Sequence, residues 1–117
     1  MPTIRDVVQT LSSRDGVEAV ILLSRDGLTI DAQSADDVDP DGLAALVPGV
    51  VAACGRLGSA AERGGFGTAV LEFERGMALV AELTSDAVLA MVVRPETNIG
   101  SLLFELHRHR SAIAGLL

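Results

Sequence analysis

The stretch VEAVILLS, residues 17–24, constrains the fold more than any other. In an extended chain Val17, Ala19, Ile21 and Leu23 point to one side, and Val20 and Leu22 to the other. Both sides are apolar, so the pattern predicts a central strand with cover on both faces. AVLAMVV, residues 87–93, is apolar on both sides too and predicts a second central strand.

The remaining segments supply the cover. Ile4, Val7, Val8 and Leu11 follow helical spacing, which predicts a short amphipathic helix over 3–13. Arg25-Asp26-Gly27 carries a hairpin turn signal. Residues 28–33 then alternate with one polar face, as an exposed or edge strand does. A long helix is expected over 40–62, with Leu43, Leu46, Val47, Val50, Val51, Cys54, Leu57 and Ala61 as its apolar stripe. Pro48 inside it removes one hydrogen bond and predicts a kink. Gly64-Gly65 stops it. Strands follow over 67–74 and 77–83. After Pro95, Thr97 or Asn98 caps a last helix carrying Ile99, Leu102, Leu103, Leu106, Ile113 and Leu117. The order is α-β-β-α-β-β-β-α. It predicts an α+β fold: one five-stranded antiparallel sheet with helices on both faces, in a single domain spanning 1–117.

Charge and composition exclude several roles. The formal net charge is −7 and all nine basic residues are Arg. Such acidity argues against nucleic acid and against an anionic membrane surface. There is no Trp or Tyr and only three Phe, so base stacking lacks its residues. The apolar run 43–54 is interrupted by Pro48-Gly49 and is shorter than the roughly 20 residues a membrane span needs. No apolar leader opens the chain. The single Cys54 forms no internal disulfide, which suits a reducing cytoplasm.

The candidate chemical sites reduce to structural roles. Asp37-x-Asp39-x-Asp41-Gly42 begins like a calcium loop, but the twelfth position, which needs a bidentate Glu, is Pro48. Asp39 as helix cap, Pro40 as first helical residue and Asp41 as complement to the helix dipole fit better. His107 and His109 stand two apart on a helix and cannot share a metal. The run 107–110 reads as a solvated basic helix end. Cys54 lies on the apolar stripe with no activating base. Gly64-Gly65-Phe66-Gly67 follows a helix and precedes a strand, the reverse of a phosphate cradle. With no Lys there is no phosphate-binding lysine loop. Glu72 and Glu74 share one strand face without a partner base. No cofactor, metal or catalytic group is expected.

Two features point to association. Ala69, Leu71 and Phe73 lie on one side of a strand expected at a sheet edge, where unpaired backbone groups invite a second strand. The long helix carries Ala45, Ala52, Arg56, Ser59 and Arg63 opposite its stripe, with Gly55 beside them. Small residues there allow close approach of another helix, and a plain Ala-rich surface helix would look the same.

Taken together, VEAVILLSRDGLTIDAQS (17–34), LAALVPGVVAACGRLGSA (43–60) and VRPETNIGSLLFELHRHRSAI (93–113), the last with Asn98 and Gly100 at its helix start, resemble the roadblock / dynein light-chain family over nearly the whole chain. The resemblance implies homo- or heterodimers built through the middle helix and third strand. It implies Ala69, Leu71, Phe73, Ala52, Gly55 and Ser59 as the dimer contact. It also implies regulation of a small Ras-like GTPase, docked on Ala45, Ala52, Arg56 and Arg63 without enzymatic activity of the chain's own. The all-Arg, Ala-rich composition fits a bacterial source. A scaffold that only tethers partners and a small-molecule-sensing module remain as alternatives.

Overall fold

The computed structural model describes residues 2–117. Its elements are α1 (Ile4–Ser12), β1 (Val17–Ser24), β2 (Thr29–Ser34), α2 (Pro40–Ala60), β3 (Thr68–Phe73), β4 (Gly76–Thr84), β5 (Ala87–Val93) and α3 (Ile99–Leu116). The five strands form one antiparallel sheet in the order β2-β1-β5-β4-β3. The two strands that are apolar on both faces, β1 and β5, lie side by side inside the sheet. β2 and β3 are its edges, the first as its polar face predicts and the second as expected of residues 67–74.

Each sheet face has its own core. Val20, Leu22, Leu79, Leu89 and Met91 meet Val8, Leu11, Leu102 and Leu106 of α1 and α3. Ile21, Leu23, Val80, Val88 and Ala90 meet Ala44, Val47 and Val51 of α2. Burying such a side chain stabilises by about 1.5–3 kcal/mol, so both layers contribute.

The helix starts are chemically defined. The Thr3 hydroxyl accepts from the Asp6 amide at 3.2 Å, and the Asp6 carboxylate accepts from the Thr3 amide at 2.9 Å. The bond from the Thr3 amide, with the Thr3 hydroxyl beside the carboxylate, lowers the Asp6 pKa. Asn98 caps α3 by accepting from the Ser101 amide at 3.1 Å. Asp39 does occupy the cap position of α2, ahead of Pro40, but its side chain makes no capping bond. The helix ends at Ala60, two residues before the expected stop, and Glu62 takes a left-handed conformation at φ 57°.

Pro48 sits within a continuous α2. Having no N–H, it leaves the Ala44 carbonyl without its helical donor. Gly27, in the β1–β2 turn at φ +90°, packs against that carbonyl: a Cβ there would lie 3.1 Å from the Ala44 oxygen and 3.3 Å from Pro48 Cγ. A residue without a side chain is therefore needed where the hairpin meets the helix.

α3 is fastened by charge as well as packing. Glu105, only 12% exposed, lies 2.8 Å from Arg14, 3.2 Å from His109 and 3.9 Å from Arg108. Burial pushes its pKa up, but the bond and charge of Arg14, the His109 contact and the Arg108 charge outweigh it, and the net direction is down. A carboxylate with a lowered folded pKa stabilises above its unfolded pKa and loses that contribution as pH falls through the folded one. Glu105→Gln is accordingly expected to lower the melting temperature at pH 7. The gap to wild type should close below about pH 4, where carboxylates protonate. Thermal melts across that range check it.

The run 107–110 lies within α3, which reaches Leu116 as the apolar positions Ile113 and Leu117 predict, and it departs from the expected solvated basic end at Arg110. Arg110 is half-buried and donates to the carbonyls of Gly67 (3.2 Å) and Glu82. Its partners belong to the start of the β3 segment and to β4, and it holds that hairpin from the α3 side.

Candidate interaction site

α2 is the unusual element. It is 21 residues long, and by length and composition alone it is apolar enough to cross a membrane. The expectation that this stretch is too short therefore does not hold, because the helix continues through Pro48-Gly49. Only Ala44, Val47 and Val51 are fully buried against the sheet. Leu46 and Leu57, expected in the core stripe, are each 70% exposed. The physical reason is width. At 3.6 residues per turn, the eight stripe residues span roughly 140° of the helix, more than the sheet covers.

The uncovered part of the stripe faces a groove of about 720 Å³. Leu43, Leu46, Val47 and Val50 form its helical wall. Its floor comes from Leu71, Phe73, Ala78 and Val92, and Arg75, Asp37 and Asp39 stand around it. The groove exists because α2 packs over β2, β1 and β4, leaving the β3 edge of that face open.

β3 borders the groove with one edge unpaired, since it bonds only to β4. Ala69 pairs with Val80, Leu71 with Ala78 and Phe73 with Gly76, so all three share the α2 face. Ala69 and Leu71 are half-buried, and Phe73 is 61% exposed. Glu72, opposite Met77, lies on the other face and is exposed.

The small residues of α2 go elsewhere. Asp41 accepts from the Thr29 hydroxyl at 2.7 Å, which marks the side of the helix facing β2. Ala45, Ala52 and Ser59 follow Asp41 at helical spacing and continue that line, all exposed. Gly55 is half-buried near it. Leu46, Val50, Ala53 and Leu57 make a separate line on the groove side. Thus the structure brings Leu71 and Phe73 together with Leu46 and Val50 around the groove, leaves Ala69 on the same sheet face, and sets Ala52, Gly55 and Ser59 apart from them. Leu46, Leu57 and Arg75 were not singled out from sequence as surface residues. The excess width of the stripe was the available signal for the two leucines.

Arg56 and Arg63 are exposed, as expected. Arg63 donates only to the carbonyls of Ala61 and Glu62 at its own helix end. The acidic stretch shows no metal-like geometry: among the described residues, no three His, Cys, Asp or Glu converge to hold an ion. Cys54 is a half-buried free thiol. Gly64, at φ +88°, turns the chain after α2, and Phe66 packs against the α2-side core.

Comparison with known proteins agrees with this architecture. The chain superposes on Myxococcus xanthus MglB with a TM-score of 0.88 at 21% identity, covering 97% of this chain and 93% of that one. An MglB described as having a tetrameric arrangement gives 0.85 at 23% identity, over 97% and 86%. A Roadblock/LC7 domain from Streptomyces avermitilis gives 0.85 at 22%, over 93% and 92%. At these identities the likeness is one of fold. No curated protein sequence matches the chain. The model of the Roadblock/LC7 domain family matches residues 3–93, α1 through the end of β5. On that match and the α-β-β-α-β-β-β-α architecture, the chain belongs to the Roadblock/LC7 family.

Proposed function

We propose that this chain is a dimeric regulatory or scaffold protein that docks a small Ras-like GTPase and modulates it without contributing a catalytic group. The observation that carries the reading is the conjunction of an apolar, largely uncovered α2, an open groove and an unpaired β3 edge. A second copy presents the same three features and can cover them by two-fold symmetry. The tetrameric arrangement of an MglB relative supports self-association in this fold. The GTPase follows from family resemblance, and Arg56 on the exposed side of α2 with Arg63 just past its end supply the residue type that interfaces favour.

The test has two readouts. Light scattering at micromolar concentration should report twice the chain mass. Arg56→Glu should keep that mass and weaken binding of a Ras-like GTPase from the same genome by about tenfold or more, equivalent to 1.4 kcal/mol. A monomeric wild type removes the dimer, and unchanged binding moves the docking surface off α2.

A second reading rests on the groove itself, whose size suits a small apolar ligand. Native mass spectrometry separates the two. A monomer carrying a bound small molecule favours the sensor, and an unliganded dimer favours the regulator.

A further inference from the structure

The nine arginines divide into two groups. Arg5, Arg14, Arg25, Arg94 and Arg108 each lie within ion-pair distance of a carboxylate, and Arg110 is held by two carbonyls. Among the described residues, Arg56, Arg63 and Arg75 make no ion pair. Arg56 and Arg63 lie toward the C-terminal end of α2. Arg75 lies at the β3–β4 turn, bordering the groove near the start of α2. Within one chain the three are therefore divided between opposite ends of the helix.

The self-pairing proposed above, on which this inference rests, changes that arrangement. Two β3 strands related by a two-fold axis run antiparallel, and both copies must keep α2 on the same side of the joined sheet. Side chains alternate with period two, so only registers that oppose residues of like parity satisfy this. Placing Leu71 opposite its own copy does so. It also sets exposed Phe73 over small Ala69 and opposes Glu72 to Val70, with no like charges facing. A shift of two residues, with Val70 opposite itself, also satisfies parity but leaves Phe73 facing Gly67. In either register Arg75 of one copy lands opposite residues 65–67 of the other, about 5 Å away across the strands. That segment follows Arg63 directly.

We propose that two copies joined along β3 build two identical rows of three arginines. Each row consists of Arg75 from one copy and Arg63 and Arg56 from the other, and each takes an acidic, extended segment of a protein partner. Arg56 lies near the C-terminal end of α2, and Arg63 lies three residues past that end, beyond the left-handed Glu62. Arg75 adds a third guanidinium from the other copy, and three charges carried on separate segments match a run of carboxylates better than a single anion. Charge complementarity identifies the occupant. On a chain of net charge −7, these are, among the described residues, the exposed guanidinium groups without a carboxylate partner. Glu72 lies on the opposite sheet face. Acids also lie close to the row: Glu62 beside Arg63 and Glu74 beside Arg75 in sequence, and Asp37 and Asp39 around the groove.

Complementation in mixed dimers tests the composite origin. The probe is a fluorescein-labelled octaglutamate peptide, read by anisotropy at about 20 mM salt, where exposed charges are weakly screened. Arg75→Glu and the double variant Arg56→Glu/Arg63→Glu should each retain the dimer mass and lose peptide affinity by tenfold or more. A mixed dimer of one chain of each, isolated with two tags, contains one intact row. It should regain wild-type affinity at half the wild-type stoichiometry. A row confined to one chain predicts no recovery, and absent recovery overturns the proposal. So does a wild-type dimer that does not bind the peptide. Loss of dimer mass in Arg75→Glu makes Arg75 a dimer contact, with Glu62 its nearest partner, and overturns the proposal as well. A monomeric wild type fails the self-pairing itself, a result that the mass measurement reports separately.

Discussion

Phe73→Asp is expected to leave the chain monomeric at micromolar concentration, where the proposed pairing would hold the wild type at twice the chain mass. Phe73 is 61% exposed on the edge strand. A Phe side chain carries roughly 150–250 Å² of surface, so about 100–120 Å² remains to be covered by a second copy. At ~25 cal/mol per Å² that is about 3 kcal/mol, and two-fold symmetry applies it twice. Even after costs of association absorb half, the dimer weakens by about a hundredfold. Light scattering or sedimentation reads it directly. Phe104→Asp is the control: Phe104 is 66% exposed, but on α3, away from β3. A Phe73→Asp protein that still runs at twice the chain mass would show that β3 is not the contact.

The second large effect is on the fold. Gly76 opens β4 in a buried position at φ +149°, and a Cβ there would lie 2.5 Å from the Val93 carbonyl oxygen. Neither the backbone angle nor the contact accommodates a side chain. Gly76→Ala should destabilise by about 3 kcal/mol or more. For a chain of this size that is a fall in melting temperature of about 10 °C. Gly49→Ala makes the contrast: Gly49 is in α2 with nothing within 4 Å of a Cβ, so the change should stabilise by up to about 1 kcal/mol. A Gly76→Ala melt within a degree or two of wild type would mean that β5 yields at Val93.

The strands were readable from residue pattern because alternation reports both faces of a strand at once. Val17–Ser24 and Ala87–Val93, apolar on both sides, had to be internal. The polar face of Glu72 and Glu74 told that one side of β3 is solvated, and its edge position agrees with the third-strand pairing that the resemblance implies. The helices were less readable, for a definite reason. Helical spacing records that Leu46 and Leu57 are apolar, not which neighbour covers them, and the sheet beneath α2 is too narrow to reach both. Arg75 looked like an ordinary turn residue because its position matters only relative to the groove. The charges of 107–110 suit a solvated helix face, and nothing in the helical pattern tells that Arg110 reaches two backbone carbonyls of the β3–β4 hairpin.

Arg110 has a consequence for how the edge strand responds to acid. Its two acceptors are backbone carbonyls, which carry no titratable proton. The Arg14–Glu105 contact that fastens the same helix weakens once the carboxylate takes up a proton. On acidification α3 therefore loosens first where it meets the loop after α1, and its grip on the β3–β4 hairpin persists. The strand edge offered to a second copy is thus insulated from changes in pH that loosen other parts of the helix.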